Sequence, residues 1–200
     1  MKTFIKQLCP PVLWNSLKSL RNENMWRIIN KRGKSGDPVK QELDIYWDKE
    51  FVTVLETWGD GTVWNEIQFL MSNCQGKVLD IACGTGRNID MLSKKFPDIT
   101  VYGCDISEKL IEKAEEKGIS RERLRVCDAV KTGYEDKYFN YAYSIGSFEH
   151  FTEEGIANVI KECRRITKDS SFHFVPISRN GKNEGWVKTR EQSYFNNGLD

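Results

Sequence analysis

From Lys77 onward the chain alternates between short apolar runs and amphipathic stretches. Runs at 77–82, 99–104, 123–127, 138–144 and 171–175 have the length and the β-branched or aromatic content of strands. Between them, 87–95 and 107–117 repeat their apolar residues at helical spacing. After Thr152, a natural helix cap, Ile156, Val159, Ile160, Cys163 and Ile166 make one apolar stripe. Strand–helix alternation of this kind predicts an α/β fold, a Rossmann-like, doubly wound, mostly parallel sheet with helices on both faces.

Upstream the pattern is helical throughout. Pro10-Pro11 opens a stretch in which Leu13, Leu17 and Leu20 recur at three- or four-residue spacing, with proline at a helix start. Residues 33–38 read as a loop. Leu43, Tyr46, Trp47, Phe51 and Leu55 mark a second helix from Val39 to about Trp58, and Thr62 is placed to cap a third that runs to about Asn73. Gly76 turns the chain into the first strand. The expected organisation is a helical appendage or lid over 1–74 and a core over 75–200. The segment after Pro176 holds Gly181, Gly185 and Gly198 among polar residues and shows no clear strand pair.

Composition adds little against this picture. A chain of 200 residues with 39 % apolar content and a formal net charge of +1 suits one compact domain with an appendage. Its charge gives no general reason to expect nucleic acid. Lys18, Arg21, Arg27, Lys31, Arg32 and Lys34 form a basic stretch interrupted only by Glu23, read first as a solvated helix face. Six scattered cysteines without a Cys-x-x-Cys pair argue for neither a zinc site nor a disulfide framework, and reduced thiols suit a cytoplasmic location. No segment has the length of a membrane span, although the short N-terminal amphipathic piece leaves weak peripheral association open.

The chemistry concentrates where strands end. Val78-Leu79-Asp80 leads into Ile81-Ala82-Cys83-Gly84-Thr85-Gly86, and Val101-Tyr102-Gly103-Cys104 ends in Asp105. Both acids fall at the carboxyl edge of the expected sheet, where open α/β sheets bind ligands. A dinucleotide fingerprint requires a third small residue, but that place is Ile89 or Arg87. A phosphate loop at Gly33-Lys34-Ser35 would need its leading glycine at Ile28. The remaining option is a glycine loop that carries no pyrophosphate.

Asp80-x-x-x-Gly84-x-Gly86, with Asp105 closing the next strand, resembles the class I S-adenosylmethionine-dependent methyltransferases over roughly residues 75–176. The resemblance implies S-adenosylmethionine as cofactor and S-adenosylhomocysteine as product. It assigns cofactor contacts to Asp80, Ala82, Gly84, Gly86, Asp105, Ile106, Asp128, Ala129 and Ser144. Asp105 would accept the ribose hydroxyls, Ile106 would pack on the adenine, Asp128 would accept its amino group and the Ala129 N–H would meet a ring nitrogen. The family usually adds two further strands, so the sheet is either abbreviated or belongs to a longer enzyme.

The loop after the fourth strand, Ser144-Ile145-Gly146-Ser147-Phe148-Glu149-His150, is the expected acceptor side. His150 is the candidate base because imidazole titrates near neutral pH; the alternative is that Glu149 and His150 only begin the next helix. Gly146 stands where metal-assisted relatives carry a glutamate, so no metal is expected. The Asn/Asp-Pro-Pro-aromatic signature of base-amine methylation is missing. The expected acceptor is a small molecule, a sugar or surface-glycan precursor hydroxyl. A protein or RNA acceptor, or an inactive cofactor-binding scaffold, remains the alternative. Aromatic residues outside the core (Tyr46, Trp47, Trp58, Trp64, Trp186, Tyr194 and Phe195) could pack or cover a ligand.

Overall fold

The computed structural model describes residues 63–175, Glu56, and the backbone of Gly33–Lys34, Gly185–Thr189 and Gln192–Asn196. The amphipathic N-terminal helices, the expected lid, its basic stretch, and Tyr46, Trp47 and Trp58 lie outside the described residues.

The elements follow the apolar pattern closely. After β1 (Gly33–Lys34) come α1 (Val63–Met71), β2 (Gly76–Ile81), α2 (Arg87–Lys95), β3 (Ile99–Asp105) and α3 (Glu108–Glu116). Then follow β4 (Leu124–Val126), β5 (Phe139–Ile145), α4 (Glu153–Ile166), β6 (Thr167–Phe174), β7 (Gly185–Thr189) and β8 (Gln192–Asn196). The main sheet has the order β4-β3-β2-β5-β6, and every pairing in it is parallel. The chain winds outward through β3 and β4, then returns to the other side of β2 with β5. The reversal places a crevice at the carboxyl ends of β2 and β5. This is a Rossmann-like, doubly wound parallel sheet.

The two faces of the sheet bury different layers. Ile67 and Met71 of α1, Ile89 and Leu92 of α2, and Ile111 and Ala114 of α3 pack with Val78, Val101 and Tyr143. On the other face, Val159, Cys163 and Ile166 of α4 pack on Leu79, Ile81, Phe139 and Ala142. Each buried Val, Leu, Ile, Met or Phe among them contributes roughly 1.5–3 kcal/mol by leaving water. The Thr152 cap read from sequence is present, its hydroxyl accepting the Gly155 N–H at 3.1 Å, and Ser107 caps α3 by accepting the Leu110 N–H at 3.4 Å.

Three expectations are corrected. Ile160 does not belong to the α4 stripe and is 48 % exposed. It lies one residue, about 100° of helix, beyond Val159. Glu162 turns inward instead. Its carboxylate accepts the Thr132 N–H (2.9 Å), the Thr132 hydroxyl (2.6 Å) and two Arg165 N–H groups (2.7 and 2.8 Å). Gly33 and Lys34 are strand rather than loop, paired antiparallel with Lys188 and Val187. Residues beyond Pro176 do contain a strand pair: β7 and β8 run antiparallel, Gly185 opposite Asn196 and Thr189 opposite Gln192. These three strands form their own sheet, order β1-β7-β8, so among the described residues the main sheet keeps five strands. Among the described residues no helix is long and apolar enough to cross a membrane.

Candidate functional site at the carboxyl edge of the sheet

Strand register sets the site. Asp80 stands between Gly103 on β3 and Tyr143 on β5, and Ile81 stands between Cys104 and Ser144. Beyond Ile81 the backbone turns sharply. Ala82 (φ 56°), Gly84 (φ 55°) and Gly86 (φ 71°) all occupy the left-handed region. A non-glycine residue there carries about 1 kcal/mol of strain, so Ala82 is held by its surroundings.

The two loop glycines serve different ends. A Cβ on Gly86 would lie 2.4 Å from Ile119 Cδ1 and 2.8 Å from Ala114 Cβ, so this glycine lets α3 approach the loop. Among the described residues, a Cβ on Gly84 would meet nothing within 4 Å. Gly84 therefore presents bare backbone to open space, as a loop that receives a ligand must. The N-cap of α2 is Gly86, which offers no side-chain acceptor. The dipole at the start of that helix favours an anionic group.

Asp105 is almost fully buried and braces this loop. Its Oδ2 accepts the Gly84 N–H and its Oδ1 the Ser107 N–H, both at 2.9 Å. Burial raises its carboxyl above the ordinary aspartate range, opposed by those backbone donors. Each oxygen keeps acceptor capacity for a further donor. The next residue, Ile106, is 46 % exposed, and Val126, which pairs with Asp105 in the register, is 38 % exposed. Both leave apolar surface near the carboxylate. Asp128 is exposed and accepts the Val130 N–H at 3.0 Å with Oδ1, while Ala129 is buried.

Asp80 is in a different state. It is 2 % exposed, and burial pushes its carboxyl well above the usual range, helped by nearby Asp105. Its Oδ2 has no hydrogen-bond partner, nor has the hydroxyl of Tyr143 beside it, although the two face each other. Among the described residues, five buried side-chain oxygens lack a partner. Four of them, on Asp80, Tyr143, Ser147 and Glu149, sit on β2, β5 or the turn after β5. Buried polar atoms are normally satisfied. A cluster of unsatisfied ones at one sheet edge marks a place built for a polar ligand. With the open space over Gly84 and the carboxylate–apolar pairing at Asp105 and Ile106, these residues fit an adenosyl compound bearing an amino acid end.

On the acceptor side, a 3-10 turn, Phe148–His150, follows β5. The His150 N–H donates to the Ser147 carbonyl at 3.0 Å, and the His150 ring is half-buried. Burial pushes the Glu149 carboxyl up to about 7. Strand β8 packs against this turn. Ser144 is fully buried, and its hydroxyl pairs with His173 Nδ1 at 2.9 Å. Any part it takes in binding comes from holding the end of β5. His173 stacks on Phe148 at 4.4 Å and its other nitrogen meets Ser171 at 3.0 Å. Burial lowers its pKa to about 4, which fits a structural imidazole.

Sequence reasoning missed two participants. Tyr143 reads as a core aromatic until register sets it beside Asp80. Glu56 binds the hydroxyl of Thr85, between the two loop glycines, and also the Lys117 ammonium. Lys117 in turn donates to Thr85 at 2.8 Å. No local signal links residues so distant along the chain.

Residues 78–170 match the profile of a family described as methyltransferase domain. The chain is similar to a demethylmenaquinone methyltransferase of Thermotoga maritima, 31 % identical over 114 residues, covering 56 % of this chain and 48 % of that one. It is also similar to a tRNA (carboxymethyluridine(34)-5-O)-methyltransferase of Arabidopsis thaliana, 32 % identical over 111 residues, 54 % of this chain and 26 % of the relative. The chain therefore spans about half or less of the length of these curated relatives. A solved protein of Pyrococcus horikoshii shares the fold at 29 % identity and a TM-score of 0.55, with 78 % of this chain and 80 % of that one covered.

Proposed function

We propose that this chain, whose residues 78–170 match the methyltransferase domain family, binds S-adenosylmethionine and transfers its methyl group to a hydroxyl of a small molecule. The observation that carries the reading is the unpartnered buried oxygen of Asp80 on β2, the strand that leads into a glycine loop with open space over Gly84 among the described residues.

When bound, the cofactor supplies a methyl group already made electrophilic by the sulfonium. The chain's task is to hold it and to bring a nucleophile into line at about 3–3.5 Å without water. Asp105 accepts the ribose hydroxyls on its remaining lone pairs while it fixes the loop. Ile106 covers the adenine, Asp128 takes its amino group and the Ala129 N–H a ring nitrogen. Backbone of Ala82, Gly84 and Gly86 and the start of α2 receive the amino acid end, whose ammonium finds Asp80. His150 lines the acceptor side and orients the reacting group.

For the acceptor, a sugar or surface-glycan precursor hydroxyl is the reading drawn from this chain's residues. The names of the two relatives favour a second one, a quinone precursor or an RNA uridine oxygen. Calorimetric titration with S-adenosylhomocysteine and with NAD tests the cofactor half of the proposal; binding of NAD alone defeats it. A methyl-transfer screen against nucleotide-sugars, glycans, quinones and RNA decides the acceptor half, and turnover on RNA alone removes the small-molecule reading.

A further inference from the structure

Glu149 is a half-buried acid with no counterpart among the described residues. Its Oε2 is shielded from solvent and has no hydrogen-bond partner. No cation shifts it; burial raises its pKa, opposed only by its own backbone N–H. An acid left in this state costs stability, so its retention on a turn at the sheet's carboxyl edge calls for a task. The turn is held firmly. Phe148 is buried and stacked on His173 at 4.4 Å, and the Phe151 N–H donates to the Phe148 carbonyl at 3.1 Å. Strand β8 packs against the turn, and its sequence, Gln192-Ser193-Tyr194-Phe195-Asn196, carries no charged residue. Of the groups that titrate, only His150 shares the turn, Tyr194 belongs to β8, and His173 packs below on β6 through both Phe148 and Ser144.

We propose that Glu149, rather than His150, is the catalytic residue that takes the proton from the methyl acceptor, and that the acceptor is therefore a hydroxyl. The inference rests on the methyl-transfer reading above. The acceptor oxygen forms its bond to the methyl carbon. The carbon–sulfur bond breaks with its electron pair going to sulfur, which turns the sulfonium into a neutral thioether. The hydroxyl proton passes to the Glu149 carboxylate, and the resulting acid returns it to solvent before the next turnover. A carboxylate desolvated in this way is a stronger base than an exposed one, and its proton affinity matches neutral pH. An imidazole base is not needed at His150, whose place beside Glu149 suits it to orienting the acceptor.

The test begins with the chain alone. Infrared difference titration should show a carboxylic acid that ionises near pH 7 and disappears in Glu149→Gln. S-adenosylhomocysteine should bind the variant as it binds the parent. With S-adenosylmethionine and hydroxyl probes (phenol, 2-hydroxy-1,4-naphthoquinone, methyl glucoside), Glu149→Gln should lower turnover by roughly a hundredfold and flatten its rise across neutral pH. Glu149→Asp should restore part of both. The proposal is overturned if no acid titrates near neutrality, or if Glu149→Gln keeps its rate and pH profile while His150→Ala loses them. Failure of S-adenosylhomocysteine to bind the parent chain defeats the methyl-transfer reading instead. If the parent binds S-adenosylhomocysteine but turns over none of the hydroxyl probes, the proposal of a hydroxyl acceptor is overturned.

Discussion

Asp105 accepts the Gly84 N–H at 2.9 Å, so the acid that closes β3 also fixes the loop that leaves β2. The same carboxylate is assigned to the cofactor ribose, and the two tasks can be separated. Asp105→Ala removes both the brace and the ribose acceptor. Each charge-assisted hydrogen bond is worth about 1.5–3 kcal/mol, so affinity for S-adenosylhomocysteine should fall by at least a hundredfold and the melting temperature should also drop. Asp105→Asn keeps one acceptor oxygen and should lose less of each. Calorimetry and thermal unfolding on both variants check this. Unchanged affinity in the folded fraction would return Asp105 to a purely structural role.

The glycine loop offers a double dissociation. Gly84→Ala places a methyl group in open space at φ 55°, so the fold should survive with a cost of about 1 kcal/mol. Cofactor affinity should fall sharply, because the methyl group fills the space meant for the ligand. Gly86→Ala drives a Cβ into Ala114 and Ile119 and should be unstable by several kcal/mol before any effect on binding is read. Urea unfolding and titration of each variant separate the two. Equal losses of stability would show that both glycines serve only packing.

How much of this was legible in the sequence depended on whether the signal was local. The α2 span, 87–95, coincides with Arg87–Lys95, and the first four core strands lie within a residue or two of the apolar runs, whereas β6 begins at Thr167, four residues before the expected Ser171. Each such run of core residues has one feasible placement in a parallel sheet. The β7–β8 pair was hidden because five-residue strands set among polar residues and glycines carry little periodic signal. Ile160 was misplaced because a stripe read from spacing cannot weigh an isoleucine against Glu162, which is drawn inward by Thr132 and Arg165. The acids at the strand ends were readable; that Tyr143 stands beside Asp80, and that Glu56 reaches Thr85, follows only from register and long-range packing.

Glu162 supplies an acid-stability test. Arg165 first, then Thr132, hold its carboxyl down at about 2, below the unfolded value of 4.5. The stabilisation is present in full above the unfolded value and is lost as pH falls through the folded one. Glu162→Gln should therefore destabilise the chain near neutral pH by roughly 1–3 kcal/mol, and the difference from the parent should shrink as the pH falls from 4.5 towards 2. Urea unfolding across that range checks it. A constant difference would show that packing, not ionisation, is what Glu162 contributes.

Glu149 shifts the other way. Its folded pKa, about 7, lies above the unfolded 4.5. The folded chain thus holds a proton that the unfolded chain has released, and stability declines as pH rises between the two values. Glu149→Gln should be the more stable protein above neutral pH and should differ little from the parent below pH 4.5. A gain in stability combined with a loss of turnover is the pattern expected of a functional acid kept at a structural cost.

Asp80 links binding to proton release. Burial holds its carboxyl well above the ordinary range, opposed by the Tyr143 hydroxyl that faces it. A cationic amino acid end favours the ionised form, so binding should expel a proton. Affinity for S-adenosylhomocysteine should then rise with pH, by up to about tenfold per unit while Asp80 is protonated in the free chain. Titrations in two buffers of different ionisation enthalpy measure the protons released. Asp80→Asn should bind more weakly and lose the pH dependence. Tyr143→Phe removes the neighbouring unpartnered hydroxyl while keeping the ring in the core, so it should leave the fold intact. Binding without proton release, at an affinity that does not change with pH in either the parent or Asp80→Asn, would mean that Asp80 is a neutral framework acid. The ammonium must in that case be held by loop carbonyls alone.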